Sequence, residues 1–210
     1  MTIEILKRAE RFGVYDSETT GLPDWKQPSE AEHQPHLTDL CYLLFSKEGE
    51  LIDSMDALVR PDGWTIPKDV EELTGLSTDF LTINGIPERE ALAMFGRINK
   101  QADVRVAHNA NFDERIMRIG ISRYFGKAVA DKFKEKPLYC TANATKNIVK
   151  CPPTEKMLKT QFRNTFKTPN MQEALSFFCP GEVIGQAHRA RPDAEACAKV
   201  FFAMQARGFQ

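Results

Sequence analysis

Two long segments with the composition of β-strands lie next to each other in the sequence, and only a short turn separates them. The segments are 37–46 and 51–60, and the turn at 47–50 contains Gly49. Strands with so short a connection pair antiparallel, because a parallel pair needs a crossover of roughly a dozen residues. An apolar run at 12–16 precedes them and also predicts a strand. The sequence therefore predicts an antiparallel meander of three strands.

Helix and strand patterns alternate over the rest of the chain. Apolar residues recur at helical spacing in 88–101 and in a last helix that is predicted to begin near Pro192. Short runs at 104–107 and 138–140 predict strands buried in a sheet. Alternation of this kind places strands parallel, with helices on the sheet faces. Further helices are predicted at 67–73, at 77–81, from Asn111 onward, from the end of the strand at 138–140 to about Val149, and at 171–178. A capping box of Asn170 and Glu173 precedes the helix at 171–178.

The predicted fold class is α/β, with a mixed central β-sheet that is flanked by helices. The sheet combines the antiparallel meander of three strands with parallel strands. A chain of 210 residues is long enough for one domain with a substantial core, and no internal repeat or linker divides it. We therefore expect a single domain over residues 1–210.

The cysteines and the N-terminus bear on the cellular compartment. Five cysteines are scattered without CxxC spacing, which argues against a disulfide framework or a zinc site and is typical of a reducing cytoplasm. Residues 1–12 mix charged and apolar side chains and predict no signal peptide. No apolar run approaches the roughly 20 residues that a membrane span needs. A cytoplasmic protein without membrane contact is expected.

Charge is distributed unevenly along the chain, although the net charge is only −1. Residues 1–100 carry an excess of 9 acidic side chains, and residues 101–210 carry an excess of 8 basic ones. The basic side chains concentrate in 115–136 and in 146–167. This asymmetry indicates a polyanionic partner, although a solvated basic face would have the same composition.

Four acidic residues stand at the ends of predicted elements. Asp16 and Glu18 lie at the end of the first strand, and side chains two apart on a strand point to the same side, where they can share a hard cation. Asp113 and Asp193 each lie near the start of a predicted helix, and His188 precedes Asp193 by five residues. Taken singly, each acid has a plainer interpretation as part of an acidic surface pair or as a helix-start acid favoured by the helix dipole. Their combined significance comes from the motifs of one family, which their order, spacing and settings match.

Three segments resemble the motifs of one family. The stretches 15–22 (YDSETTGL), 108–113 (HNANFD) and 187–194 (AHRARPDA) are similar to the three motifs of the DnaQ-like 3′→5′ exonucleases, in the DEDDh subgroup with four acids and a histidine. The resemblance runs over about 12–204 and extends to the Leu-Thr-Gly-Leu stretch at 73–76. It implies a ribonuclease-H-like fold and a similarity to the epsilon-type proofreading exonucleases of DNA polymerase III.

The resemblance implies a metal-dependent 3′→5′ exonuclease that removes nucleoside 5′-monophosphates from the 3′ end of single-stranded DNA. The ligands it implies for two divalent ions, Mg²⁺ or Mn²⁺, are Asp16, Glu18, Asp113 and Asp193. Asp16 would bridge both ions. Two ions that lie roughly 3.5–4 Å from each other can stabilise the attacking and the leaving oxygen. His188 would be the general base, because histidine can accept a proton near neutral pH. These five residues are the expected catalytic set.

The resemblance also implies contacts with the terminal nucleotide. Thr19 and Leu22 lie where family members bind this nucleotide, and Leu22 would wedge against its base. His108 and Asn109 would either contact the substrate or orient the site. The implied partners are the 3′ end of single-stranded DNA or RNA and a DNA polymerase, which would place the protein in DNA replication or repair.

Two features depart from the family pattern. Cys140 precedes Thr141 where relatives often have aspartate, and that acid is not among the four metal carboxylates. A long segment, 23–35, follows the first motif and contains Trp25, a candidate for stacking on a base. The plainer interpretation of this segment is a solvated, variable loop.

Other functions stay open at this point. An RNA-trimming exonuclease similar to ribonuclease T or oligoribonuclease would have the same motifs, and nothing in the sequence reads the sugar 2′-hydroxyl. An inactive nucleic-acid- or polymerase-binding module is disfavoured, because all five catalytic positions hold competent residues. A Rossmann-type cofactor enzyme is disfavoured, since no glycine-rich phosphate loop follows the first strand.

Overall fold

A computed structural model describes residues 3–186 and 188–209, so Ala187 of the third motif lies outside the described residues. Its strands are β1 Arg11–Thr19, β2 Leu37–Ser46, β3 Leu51–Arg60, β4 Ile86–Pro87, β5 Val104–Ala107 and β6 Leu138–Cys140. They form one sheet in the order β4-β3-β2-β1-β5-β6. β2 pairs antiparallel with β1 and β3, whereas β5 joins β1, β6 joins β5 and β4 joins β3 in parallel. The predicted mixed sheet with an antiparallel meander is confirmed.

Helices cover both faces of this sheet. Their bounds are α1 Ile3–Arg8, α2 Lys68–Thr74, α3 Thr78–Asn84, α4 Glu88–Asn99, α5 Ala110–Phe125, α6 Lys127–Lys134, α7 Thr141–Val149, α8 Glu155–Leu158, α9 Met171–Phe178 and α10 Ala190–Ala206. One face packs on α4 and α5, and the other packs on α1 and α10. In the described part of the chain, no helix has both the length and the apolar composition to cross a membrane.

β1 divides its side chains between these two faces. Phe12 and Val14 pack in the cluster with α10, whereas Tyr15 packs in the cluster with α4 and α5. The division follows from the strand itself, because successive side chains point in opposite directions. The same alternation directs Asp16 and Glu18 to the α10 side of the sheet.

Most elements occur where the sequence predicts them. β2, β3 and β5 have the predicted bounds, and the capping box of Asn170 and Glu173 is present at the start of α9. The prediction for the last helix was wrong at its start, because α10 begins at Ala190 rather than near Pro192. Pro192 still lies in the first turn, where a helix needs no N–H from it. The short elements α1, α6 and β4 were not predicted, because so few residues carry little periodicity.

Candidate active site

The carboxyl end of β1 supplies two acids from a rigid strand. β1 is hydrogen-bonded to β2 on one side and to β5 on the other. Asp16 and Glu18 lie beyond Val14, the last β1 residue that pairs with β5. This is the edge at which open α/β sheets bind their ligands. A register shift between Glu18 and Thr19 ends the regular pairing there.

α10 brings a third acid to this pair. It packs on the face toward which Asp16 and Glu18 point, and Asp193 lies in its first turn. One carboxylate oxygen from each of the three residues lies within 4.8 Å of the others. We call Asp16, Glu18 and Asp193 the three-acid cluster. The structure thus brings together three of the four acids that the sequence singled out.

Asp113 reaches the same region from the opposite face. It lies in the first turn of α5 and is buried. Its Oδ1 accepts hydrogen bonds from the Ser17 backbone N–H at 3.1 Å and from Ser17 Oγ at 2.8 Å. Ser17 points to the α5 side of β1, so these bonds hold Asp113 beside the three-acid cluster rather than within it. Its role as a metal ligand stays a prediction.

Burial and mutual repulsion raise the pKa values of these acids. Burial, followed by the charges of Asp193 and Asp39, raises the pKa of Glu18 to about 8. Burial, followed by the charges of Asp113 and Glu18, holds the pKa of Asp16 well above its ordinary value. Burial raises the pKa of Asp113 to about 7, although the hydrogen bonds it accepts act in the opposite direction. A bound cation would offset the repulsion between these carboxylates.

The three-acid cluster fits a hard divalent cation. Carboxylate oxygens within 4.8 Å of one another can surround one ion, because Mg²⁺ and Ca²⁺ bind oxygen at roughly 2.0–2.6 Å. Oxygen ligands select Mg²⁺, Mn²⁺ or Ca²⁺ over softer metals. The donor set therefore fits the ions that the resemblance implied.

Without divalent ions, the protein is expected to lose stability as the pH rises. An acid with a raised folded-state pKa keeps its proton in the folded chain at a pH where the unfolded chain has lost it, so folding is favoured below this window and disfavoured above it. For Glu18 the window runs from the ordinary value of 4.5 to about 8. The melting temperature in EDTA should fall by roughly 5 °C or more across the window and recover with Mg²⁺ or Mn²⁺.

Differential scanning fluorimetry over this pH range measures the effect. Glu18→Gln should give a flatter profile, because one of the titrating acids is gone. A melting temperature that rises with pH in EDTA, or an unchanged slope in the variant, would contradict the repulsion between these acids.

His188 lies in the segment that leads into α10. Its backbone N–H donates to Asp193 Oδ2 at 2.8 Å, and its backbone is left-handed, with φ 61°. Burial raises the pKa of Asp193, while the hydrogen bond and the charge of His188 lower it. The side chain of His188 is exposed. The imidazole is therefore open to solvent, on a residue whose backbone is bonded to the three-acid cluster through Asp193.

An ion pair that the sequence did not predict fixes the start of α10. Asp39 lies opposite Glu18 on β2 and is 1% exposed. Its Oδ2 accepts from Arg189 Nε at 2.7 Å and from the Ala190 backbone N–H at 3.2 Å, at the end of the helix where an acid is stabilising. Among the described residues, Asp39 Oδ1 has no hydrogen-bond partner. The available signal was a lone acid in an apolar strand, since such an acid is rarely buried unless it is paired.

The predicted substrate-contact residues differ in how exposed their side chains are. Leu22 is 84% exposed and Asn109 is also exposed, so both can meet a ligand. Thr19 is buried, and its Oγ1 donates to the Gly21 carbonyl at 2.7 Å, which shapes the turn before Leu22. Trp25, the predicted stacking residue, is 60% exposed. Their substrate contacts stay predictions.

His108 is held by two partners within the protein. Its Nε2 donates to the Pro169 carbonyl at 3.0 Å, because a carbonyl can only accept. Burial lowers the pKa of His108, which favours the neutral ring, and the other ring nitrogen, Nδ1, is hydrogen-bonded to Thr141 Oγ1 at 2.9 Å. With both nitrogens engaged, the geometry favours an orienting role for His108 over a substrate contact.

The segment 23–35 is anchored, although it contains no helix or strand. Gln34 is buried, and its side-chain amide bonds to the backbone of the same segment. Arg115 donates to Ser29 Oγ at 2.8 Å and to two backbone carbonyls of the segment, and Arg123 donates to two more. These two cations of the first basic stretch therefore hold a loop in place and are not free for phosphate.

A cavity of about 650 Å³ lies between α4 and α6. Its lining is apolar at Phe95 and Phe133 and basic at Lys100 and Lys132, and it includes none of the predicted site residues. The acids lie instead at the open edge of the sheet. Carboxylates, not cavity volume, therefore identify the candidate site in this protein.

Comparisons with known proteins identify the family. The exonuclease family model, RNase_T, matches residues 14–201. A DNA polymerase III subunit epsilon from Treponema pallidum (strain Nichols) is 29% identical over 193 residues, which are 92% of this chain and 75% of that protein. A PolC-type DNA polymerase III from Thermotoga petrophila is 28% identical over 117 residues, which are 55% of this chain and 8% of that protein.

Solved structures share the fold. E. coli exonuclease I in complex with a dA16 oligonucleotide has a TM-score of 0.69 at 14% identity, covering 94% of this chain and 41% of that chain. This chain therefore spans about two fifths of exonuclease I. A 3′-exonuclease, in a structure of 3′-end-specific recognition of a histone mRNA stem-loop, has a TM-score of 0.65 at 14% identity, covering 96% of this chain and 65% of that chain. The likeness confirms the predicted ribonuclease-H-like fold.

Proposed function

Because the chain belongs to the exonuclease family, we propose that it is a metal-dependent 3′→5′ exonuclease that removes nucleoside 5′-monophosphates from the 3′ end of single-stranded DNA. The observation that carries the proposal is the three-acid cluster, whose carboxylate oxygens lie within 4.8 Å of one another. Asp113 lies beside this cluster, and His188 is bonded to Asp193 at the start of α10. We further propose that the whole chain is one exonuclease domain and acts in the cytoplasm.

The acids would hold two divalent cations, Mg²⁺ or Mn²⁺. Asp16, Glu18 and Asp193 would bind one of them, and Asp113 would act on the second, with Asp16 shared between the two. When bound, two such ions stabilise the charge that develops on the attacking and leaving oxygens of the phosphodiester. The raised pKa values of Asp16 and Glu18 support this assignment, because burial and neighbouring carboxylates make the ionised acids costly until a cation joins them.

The remaining steps use side chains of this protein. His188 is exposed beside Asp193 and accepts the proton of the attacking water. The water oxygen forms a bond to phosphorus, the bond from phosphorus to O3′ breaks, and O3′ takes a proton from solvent water. The products are a nucleoside 5′-monophosphate and a shortened strand with a 3′-hydroxyl, and His188 then releases its proton to solvent. Leu22, which is 84% exposed, packs against the terminal base and positions the last phosphodiester at the acids.

Asp39→Ala is expected to lower hydrolysis about 10- to 100-fold, the usual effect of removing a partner that orients a site residue. Without this carboxylate, Arg189 loses its ion pair and α10 loses an acceptor at its first N–H, so His188 and Asp193 are less well held. Asp39→Asn keeps an acceptor oxygen and should recover most of the loss. Steady-state kinetics on a labelled strand, with melting curves for both variants, check this. Equal losses in the two variants would contradict a positioning role.

The comparisons favour DNA as the substrate. The polymerase III epsilon subunit from Treponema pallidum is similar over most of the chain, and we infer from this a DNA substrate and a DNA polymerase as protein partner. An RNA-trimming exonuclease is the second candidate, since the 3′-exonuclease that recognises a histone mRNA stem-loop shares the fold. The two differ in whether the site accepts a 2′-hydroxyl. An inactive binding module is disfavoured by the competent acids.

Labelled strands of DNA and RNA test the proposed function. Each strand, single or double, carries a label at its 3′ or its 5′ end and is incubated with Mg²⁺ or with EDTA. We expect labelled mononucleotide from the 3′-labelled single DNA strand, a shortening ladder from the 5′-labelled one, and no reaction in EDTA. Asp16→Asn protein purified in the same way controls for contaminating nucleases. Faster shortening of RNA would favour the second candidate, and activity in EDTA would overturn the proposal.

A further inference from the structure

One surface loop carries basic and aromatic side chains that the fold does not use. Residues 152–166 form a surface loop between α7 and α9. Their two ends are joined by the hydrogen bond from the Lys167 N–H to the Cys151 carbonyl at 3.0 Å. We call residues 152–166, which include α8, the arm. Surface loops closed at their base in this way are frequently functional.

The arm has no core of its own. No residue from 152 to 166 is buried. Three large apolar side chains are exposed on it, Leu158 by 54%, Phe162 by 52% and Phe166 by 38%. Single exposed apolar residues are ordinary, but several gathered on one short loop indicate a binding surface.

The arm is also basic. Lys167 at its base pairs with Glu173 at 2.6 Å. Lys156, Lys159 and Arg163, in contrast, form no ion pair with any residue that the structure describes, and the arm contains a single acid. Cations interleaved with aromatic rings suit single-stranded nucleic acid, because the cations contact phosphates while the rings stack on bases.

Threonine hydroxyls fix the shape of the arm. Thr154 Oγ1 accepts from the Met157 N–H and Thr160 Oγ1 accepts from the Phe162 N–H, each at 3.2 Å. Thr165 Oγ1 donates to the Phe162 carbonyl at 2.8 Å. These local bonds satisfy the backbone around Phe162 without packing the ring on the protein. A surface ordered before it binds loses less conformational entropy on binding.

The base of the arm is connected through His108 to the helix that carries Asp113. Pro169, which follows the arm, accepts a hydrogen bond from His108 at 3.0 Å. Thr141, at the start of the helix that leads to the arm, bonds to the other ring nitrogen of His108 at 2.9 Å. His108 itself comes just before α5, which carries Asp113. The base of the arm is therefore held to the residue that precedes this helix.

We propose that the arm binds single-stranded DNA upstream of the 3′ end, with Phe162 and Phe166 stacked on bases and with cations on the phosphates. The inference rests on the proposed exonuclease function and adds a second binding site to it. The cations that contact the phosphates are Lys156, Lys159 and Arg163. A short strand that ends before the arm lacks these contacts, so the arm makes affinity depend on strand length.

Binding of oligothymidylates of two lengths tests the arm separately from catalysis. The affinities for a 3-mer and a 12-mer of thymidylate are measured by fluorescence anisotropy. The protein carries Asp16→Asn and the buffer contains EDTA, so that neither probe is hydrolysed. We expect the 12-mer to bind more tightly than the 3-mer. The double variant Phe162→Ala with Phe166→Ala should reduce the ratio of the two affinities roughly 5-fold or more for each ring removed. Phe162→Trp should retain it. Phe80→Ala, which removes an exposed ring on α3, is the matched control.

The salt dependence tests the cations. Lys156→Ala with Lys159→Ala should reduce the slope of log affinity against log salt by roughly 1 to 2 for the 12-mer. An unchanged length advantage in the double phenylalanine variant, at an unchanged melting temperature, would overturn the inference. A loss confined to a 12-mer of uridylate would overturn the assignment to DNA. Failure of the proposed function is seen separately, because wild-type protein would then hydrolyse neither probe with Mg²⁺, whatever the arm binds.

Discussion

Asp16→Asn is expected to lower hydrolysis of a 3′-labelled strand on the order of 1,000-fold or more, while the melting temperature stays the same or rises. Ions held at this site contribute several kcal/mol to the transition state, and about 1.4 kcal/mol corresponds to tenfold in rate. The fold should tolerate the change, because burial and the charges of Asp113 and Glu18 disfavour the ionised form of Asp16. A neutral amide of the same size removes that repulsion.

Glu48→Gln is the matched control for this prediction. Glu48 is exposed in the turn at the end of β2 opposite to Asp39, so the same loss of one charge leaves the site untouched. Rate, Mn²⁺ binding and thermal melting are compared in the wild type and the two variants. A rate within tenfold of wild type would remove Asp16 from the mechanism, and a sharp fall in melting temperature would show that it is structural.

His188→Asn should lower turnover about 100- to 10,000-fold near neutral pH, the range that a general base contributes, and should leave divalent-ion binding intact. Asparagine is the informative replacement because the backbone at this position is left-handed, with φ 61°, and asparagine adopts that conformation more readily than alanine. The backbone hydrogen bond to Asp193 is kept. The change then isolates the imidazole.

The remaining activity of His188→Asn should rise more steeply with pH than that of the wild type, since hydroxide replaces the missing base. His33→Asn controls for the loss of a histidine, because His33 is exposed and, among the described residues, forms an ion pair with Asp24 alone. Near-normal turnover in His188→Asn would remove His188 as the base. Lost Mn²⁺ binding would instead make it part of the metal site.

The acids of the candidate site were selected by local patterns together with the family motifs that these patterns match. Asp16 and Glu18 close an apolar run, and strand alternation alone puts them on one side. Asp193 lies in the first turn of the last helix. The structure places these three carboxylates within 4.8 Å of one another, so the strand and the helix bring these acids together.

Asp113 shows where local patterns stop. The motif rather than local geometry assigned it to the site, because an acid at a helix start is commonplace. In the structure its carboxylate accepts hydrogen bonds from Ser17 on the α5 side of β1. Which face of a strand a helix covers depends on how the chain crosses the sheet, and the motif does not contain that information. The ion pair between Asp39 and Arg189 joins residues 150 positions apart, so no local pattern predicts it.

The basic side chains also show what the sequence predicts and what only the structure decides. The sequence located two basic stretches, but it could not distinguish a cation with an internal partner from one without. In the structure, Arg115 and Arg123 hold the segment 23–35, whereas Lys156 and Lys159 lie exposed on the arm. An interpretation of net charge as affinity for nucleic acid therefore applies to the second stretch more than to the first.

The sequence by itself determined the strands, the helices and the acids that stand at their ends, because periodicity, capping and turn residues act over a few neighbouring positions. Only the tertiary structure decided which carboxylates meet across β1, which acid anchors α10 and which cations stay free for a ligand. Those outcomes depend on sheet register and on the face that each helix covers, and these are set by contacts between residues far apart in the chain.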